Sequence, residues 1–300
     1  MLIITSNSPN ISPRSADIAF NSFWLNDSVC QATGRFADIF SISSSLKVFI
    51  ALFAMFLFSG AHATDPEIML HENDTAEKGE LAATLHSNYT VRGIKETGDG
   101  TWPENRQTNL MAEFATGLGP GWEVGLHLPI RRAGVDSSSS REGAWGSSGV
   151  MLRIKHVIRL EKGYFYGFNN EYDTLARRFD NAPRSLEFRG IVGRETDAYR
   201  VTFNPVLGRG LGGNEESSKF DFRLDAKVLR KVSEKLAWGM EAYTRWGKLG
   251  NLHPGAADRI IYLVGEFDVG DNSSLHLGVG QGFKDTPEKT VLKAVWSSVF

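Results

Sequence analysis

From residue 80 onward, apolar and polar residues alternate with a period of two. Leu81, Ala83, Leu85, Tyr89 and Val91 share one face, and Glu80, Thr84, His86, Asn88 and Arg92 share the other. Trp122, Val124, Leu126, Leu128 and Ile130 stand opposite Glu123 and His127. Val150, Leu152, Ile154, Ile158 and Leu160 alternate with Met151, Arg153, Lys155, Val157 and Arg159. Phe220, Phe222, Leu224, Ala226 and Val228 do the same against Asp221, Arg223, Asp225 and Lys227. Successive side chains of a strand point to opposite sides, so each stretch reads as a strand with one apolar and one polar face. A helix would place its apolar residues three and four apart, which these stretches do not do. About 12 such stretches follow one another, which predicts an all-β chain: an antiparallel up-and-down transmembrane β-barrel over residues 80–300.

The connections predict the same layout. Tight links at residues 119–121, 161–163, 195–197, 232–234 and 270–272 alternate with longer polar ones such as 131–147 and 174–183. Gly119-Pro120-Gly121 leaves little choice but a hairpin. Short turns at one end and long loops at the other is the arrangement of outer-membrane barrels. Trp122, Tyr164, Tyr166, Tyr199, Trp238 and Trp296 fall near strand ends, where aromatic girdles meet the lipid headgroups. A soluble β-sandwich would also alternate, but it does not call for this loop pattern, the aromatics and an export signal together.

The export signal lies upstream. Lys47 precedes an apolar run of 11 residues, Val48 to Phe58, and Ala61-His62-Ala63 follows as a cleavage signal. The run is too short to span a membrane as a helix. The expected division is therefore a non-structural extension at 1–45 with the true start at Leu46, a signal peptide at 46–63, a periplasmic lead-in at 64–79, and the barrel. The expected location is the outer membrane of a Gram-negative cell, after cleavage near Ala63.

Composition narrows the chemistry. The net charge of -2 and the lack of Lys/Arg runs give no reason to expect nucleic acid. The single cysteine, Cys30, precedes the expected cleavage site. The mature chain then has no thiol, which excludes disulfides, zinc–thiolate sites and cysteine catalysis. Alternation puts a set of charges on the face away from lipid: Arg153, Lys155, Arg159, Glu171, Glu187, Arg189, Arg200, Arg223, Asp225, Lys227, Glu241 and Arg245. These are the lumen-lining candidates, because an Arg or Lys on the lipid face near the midplane costs about 2–4 kcal/mol. They either line a polar channel or pair across a narrow lumen and plug it. Glu123 and Glu171 are the expected counter-charges for the basic row on the strand around Arg153.

Catalytic, cofactor and metal residues are expected to be none. Gly208 to Gly213 fits G-x-G-x-x-G, but a polar loop and another strand follow it, where a dinucleotide site needs a helix. The histidines are scattered, with none paired at metal-ligand spacing. Ser87 and His86 are neighbours on a strand and point to opposite faces, so they cannot form a nucleophile–base pair.

Two resemblances add to this reading. The last stretch, with Leu292, Ala294, Trp296, Ser298 and Phe300 on one face, resembles the closing strand of bacterial outer-membrane barrels. The resemblance implies that Trp296 and Phe300 are the signal read by the barrel-assembly machinery. The run EFATGLGPGWEVGLHLPI at 113–130, the glycine-led basic strand at 146–158 and FNPVL at 203–207 resemble the outer-membrane family named for the MetA pathway of phenol degradation. That resemblance implies a channel or facilitator for small, often aromatic, solutes, and it brings no catalytic residues with it. The other readings are an accessory barrel with a plugged lumen and an outer-membrane lipid hydrolase. The expected partners are outer-membrane lipid, the assembly machinery and a small solute; the chain carries no signal for an oligomeric state.

Overall fold

In lipid no water can satisfy a backbone N–H or C=O, so strands there are stable only when each has a partner on both sides. The computed structural model meets this condition by closing its sheet. It describes residues 67–97, 101–134, 143–180, 182–212, 219–253, 258–284 and 286–300. The expected extension and signal peptide lie outside the described residues.

The strands are β1 (Leu81–Gly93), β2 (Thr108–Gly119), β3 (Trp122–Arg132), β4 (Trp145–Ser147), β5 (Gly149–Arg159), β6 (Tyr164–Leu175), β7 (Arg184–Glu195), β8 (Tyr199–Gly210), β9 (Asp221–Ser233), β10 (Leu236–Lys248), β11 (Asp258–Asp268), β12 (Ser273–Phe283) and β13 (Glu288–Val299). Strands pair antiparallel with the next in sequence, except that β5 pairs back to β3 across the short β4, and β13 pairs with β1 to close the ring. The closing register runs from Ala82 opposite Val299 to Gly93 opposite Glu288. Leu81 and Phe300 exchange backbone hydrogen bonds at the seam, 2.9 and 3.3 Å long. Both β4 and β5 pair with β3 and act as one barrel strand, interrupted by a bulge at Ser148 where the register slips by a residue. The ring is thus a closed, antiparallel, twelve-stranded barrel.

The short turns follow from local chemistry. Gly121 has a φ of 72°, and a Cβ there would lie 2.1 Å from the Val157 carbonyl oxygen. The Gly121 carbonyl in turn accepts the Val157 N–H at 2.9 Å, so the β2–β3 turn is bound to β5. Only glycine suits both the dihedral and the approach.

Alternation sorts the side chains as the sequence pattern predicts. Leu152 and Leu263 on the outer face are 53% and 60% exposed, while Met151, one residue from Leu152, is 2% exposed inside. Trp122, Tyr164, Tyr166, Tyr199, Trp238 and Trp296 are all exposed and all lie toward the short-turn end, forming one girdle. Tyr89, Trp145 and Phe283 are exposed toward the long-loop end. At that end two loops pack together: Trp102 meets Phe179 edge-on with ring centroids 4.7 Å apart, and the Arg178 guanidinium lies over both rings.

The outer band makes the first prediction. Leu152→Arg is expected to lower folding stability by about 2–4 kcal/mol, as an arginine near the bilayer midplane does. Leu152→Phe is expected to be neutral. Urea unfolding in lipid vesicles measures both, and equal effects would mean that Leu152 does not face lipid.

Candidate functional site: the occupied lumen

Residues 67–76, part of the stretch 64–79 expected as a periplasmic lead-in, run along the inner wall of the barrel. Leu70 is fully buried, and Glu67, His71 and Glu72 nearly so. The segment enters beside the start of β1, where Lys78 makes an isolated bridge to Gly117 and the Gly79 N–H donates to the Gly117 carbonyl at 3.0 Å. It then follows the wall residue by residue. The Ala76 N–H donates to Glu123 at 2.6 Å. Lys155 approaches Asp74 at 3.3 Å, and Arg159 donates to the Asn73 carbonyl at 2.6 and 3.1 Å.

Glu72 is held by three side chains of the wall. Its carboxylate accepts from Arg200 at 2.9 Å, from Thr202 Oγ1 at 2.8 Å and from Lys227 at 2.7 Å. One residue deeper, the Asn204 side chain takes both backbone groups of His71. Asn204 Oδ1 accepts the His71 N–H at 2.9 Å and Asn204 Nδ2 donates to the His71 carbonyl at 3.0 Å. The amide thus serves as a substitute strand edge, which a segment with no ladder of its own needs when buried. Deepest of all, the Ile68 carbonyl accepts from Lys293 at 3.1 Å. The Ile68 side chain packs on an inward apolar patch of Leu229, Tyr262, Val264 and Val291.

The expected lumen charges fall into linked groups. Arg153 is buried and bridges Glu113 of β2 and Glu123 of β3, the latter at 2.8 Å. Glu171, the other expected counter-charge, instead meets His71 and Asn169. Arg189 joins Glu187 at 2.6 Å to Asp225 at 3.2 Å, and Arg223 reaches the same Glu187 at 2.8 Å. Lys227 joins Glu266 at 2.5 Å to Glu72, while Lys293 pairs with Glu241. Arg245 pairs with Asp221 at 2.8 Å. Arg159 lies at the exposed rim rather than deep in the lumen. Trp296 and Phe300 are exposed on the outside of the closing seam.

The scattered histidines do not stay scattered. His71 from the segment, His86 from β1 and His127 from β3 converge on neighbouring carboxylates. His86 Nε2 is 3.2 Å and His127 Nε2 3.5 Å from Glu113, and His71 Nε2 is 3.4 Å from both Glu67 and Glu171. Ring closure and threading bring them together, which spacing along the chain does not show. The residues missed at sequence level are Glu67, His71, Glu72, Glu113, Asn169, Asn204 and Lys293. Parity puts Glu113 and Lys293 inside, beside outward Ala112, Phe114, Leu292 and Ala294. Nothing in the irregular stretch 67–79 signals insertion.

No protein-family model matches the chain, and no curated protein matches it. Among solved structures it is similar to an outer-membrane channel from Pseudomonas putida F1, with a TM-score of 0.57 at 11% identity, over 78% of this chain and 100% of that one. It also aligns with the KdgM porin at a TM-score of 0.48 and 8% identity, covering 73% of this chain and 99% of that one. At 11% identity, the likeness to the Pseudomonas channel is one of fold, that of an outer-membrane β-barrel.

The Arg153 bridge makes the second prediction. Arg153→Met removes the cation between two buried carboxylates, and breaking such a buried pair costs about 3–5 kcal/mol. Arg153→Lys is expected to recover only part, because one ammonium does not reproduce the guanidinium fork. The urea midpoint of each variant measures this. A midpoint unchanged in Arg153→Met would show that the bridge does not hold the wall together.

Proposed function

We propose that this protein is an outer-membrane channel for small solutes, and that its N-terminal segment closes it as a removable stopper. The observation that carries the reading is how residues 67–79 are held. Apart from one bridge at Gly117, the wall holds the segment through its side chains and not through its backbone ladder. Its departure therefore leaves every strand pairing of the barrel intact.

The apolar patch under Ile68 supports a solute with an apolar or aromatic body. Tyr243 and Tyr262 stand there edge-on, with centroids 5.7 Å apart, beside Leu229 and Val264. Uncovering that patch gives an aromatic molecule a surface among charged groups that keep the rest of the lumen wet. The resemblance of residues 113–130 to the phenol-degradation family supports the same class of solute. A polar cavity of about 660 Å³ lies at the short-turn end, lined by Arg200, Lys231, Glu195 and Glu266. It adjoins the residues that grip Glu72. In this reading Trp296 and Phe300 are the mark by which the assembly machinery recognises the closing strand.

Deleting residues 67–78 tests the proposal in planar bilayers and in vesicles loaded for swelling with phenol. The full chain is expected to conduct weakly, and the deletion variant to show stable open steps and phenol-driven swelling. Glu72→Ala is expected to lie between them, with frequent brief openings, since it releases one grip. A deletion variant that folds, shown by its heat-modifiable migration, yet neither conducts nor swells would replace the channel with an accessory barrel.

A further inference from the structure

We propose that Glu67, His71 and Glu171 form a binding site for a divalent transition-metal cation of the zinc type, joining the N-terminal segment to β6. One ligand atom from each lies within 4.8 Å of the other two, and all three residues are buried. The decisive geometry is at His71. Its Nε2 lies 3.4 Å from Glu67 Oε1 and 3.4 Å from Glu171 Oε1. A single N–H points in one direction and serves one of these oxygens well. A cation serves both. Zinc–nitrogen and zinc–oxygen bonds of about 2.0–2.2 Å at tetrahedral angles place neighbouring ligand atoms about 3.3–3.6 Å apart. The observed separations from His71 fall in that interval.

The surroundings favour a cation as well. Asn169 Nδ2 lies 2.5 Å from Glu171 Oε1 and orients that carboxylate, while its 3.2 Å contact to His71 Nε2 is given up when that nitrogen binds an ion. His86 and Glu113 also come within 4.8 Å of Glu67. That second set is the poorer site, because Glu113 is already bound by the Arg153 guanidinium. The buried Nδ1 of His86 has no hydrogen-bond partner, so the region still holds an unused ring nitrogen.

One imidazole nitrogen with two carboxylates is a donor set suited to first-row divalent ions, and hard alkaline-earth ions are disfavoured by the nitrogen. Two of the ligands, Glu67 and His71, belong to the segment, and Glu171 belongs to the wall. An ion bound there ties the segment to the barrel. This inference rests on the ligand geometry alone and holds whatever the lumen passes.

The test uses the tag-free mature protein in detergent, stripped with chelator and titrated calorimetrically with zinc chloride. One equivalent is expected to bind. His71→Ala and Glu67→Gln are each expected to weaken binding at least tenfold, and His253→Ala, in an exposed loop, to leave it unchanged. Neither test residue belongs to a strand, so heat-modifiable migration should be retained in both. X-ray absorption at the zinc edge of the wild-type protein is expected to show a nitrogen/oxygen shell with imidazole scattering. No zinc binding by the wild type, or wild-type affinity in both His71→Ala and Glu67→Gln, would overturn the proposal. The readout is binding to the closed protein, so a failed conductance experiment would not touch it.

Discussion

Backbone satisfaction in lipid is the constraint on which the rest of this structure depends. An unpaired peptide group in the hydrocarbon costs several kcal/mol, so the sheet cannot end in an open edge. Pairing β1 with β13 removes both edges in one step. Once the ring is closed, every strand has an outside and an inside, and the period of two becomes a rule of chemistry. Leu152 and Leu263 go to lipid; Arg153 and Tyr262 go to the interior. Twelve strands enclose a lumen narrow enough for the charges of one wall to reach those of the next.

A narrow interior makes those charges expensive unless they are paired. The wall solves this mostly by cross-strand bridges whose members are close in register, such as Arg153 with Glu123 and Arg189 with Asp225. The N-terminal segment supplies the rest of the filling. It contributes Glu72 to the basic pair Arg200 and Lys227, and carbonyl oxygens to Arg159 and Lys293. Its acidic residues Glu72 and Asp74 meet Arg200, Lys227 and Lys155 of the wall.

The legibility of this molecule in its sequence follows from which interactions are local. Strand existence, facing and the short turns depend on residues one to three apart, so Trp122 to Ile130 and Gly119 to Gly121 declare themselves. The facing of Arg153 and Lys155 is legible for the same reason. Their partners are not. Which carboxylate meets Arg153 is set by the register between β2, β3 and β5, including the slip at Ser148, and the chosen partner is Glu113 together with Glu123 rather than Glu171. The convergence of His71, His86 and His127 needs both ring closure and the threaded segment. The insertion of 67–79 has no periodic signature, since the segment forms no strand and borrows its hydrogen bonds from side chains such as Asn204.

Most of the basic groups that grip the segment also have a carboxylate of the wall; Lys155 is the exception, since its ion pair among the described residues is with Asp74 of the segment. Lys227, which holds Glu72, also reaches Glu266 at 2.5 Å. Arg200, which holds the same carboxylate, has Glu266 at 3.1 Å and Glu195 at 3.4 Å. Lys293 donates a hydrogen bond to the Ile68 carbonyl but keeps Glu241 as its ion-pair partner. Glu123 accepts the Ala76 N–H while bound to Arg153. Arg159 sits at the exposed rim, where water can take the place of the Asn73 carbonyl. Removing one member of an isolated buried pair leaves an unpaired charge and costs about 3–5 kcal/mol. Here each of the buried cations that grip Glu72 and Ile68 retains a carboxylate of the barrel, so that penalty is not incurred on the wall side. What remains is the loss of the segment's own contacts, offset by rehydration of Glu67, Glu72 and the freed lumen. Except at Lys155, the segment thus duplicates the charge pairing of the wall rather than completing it.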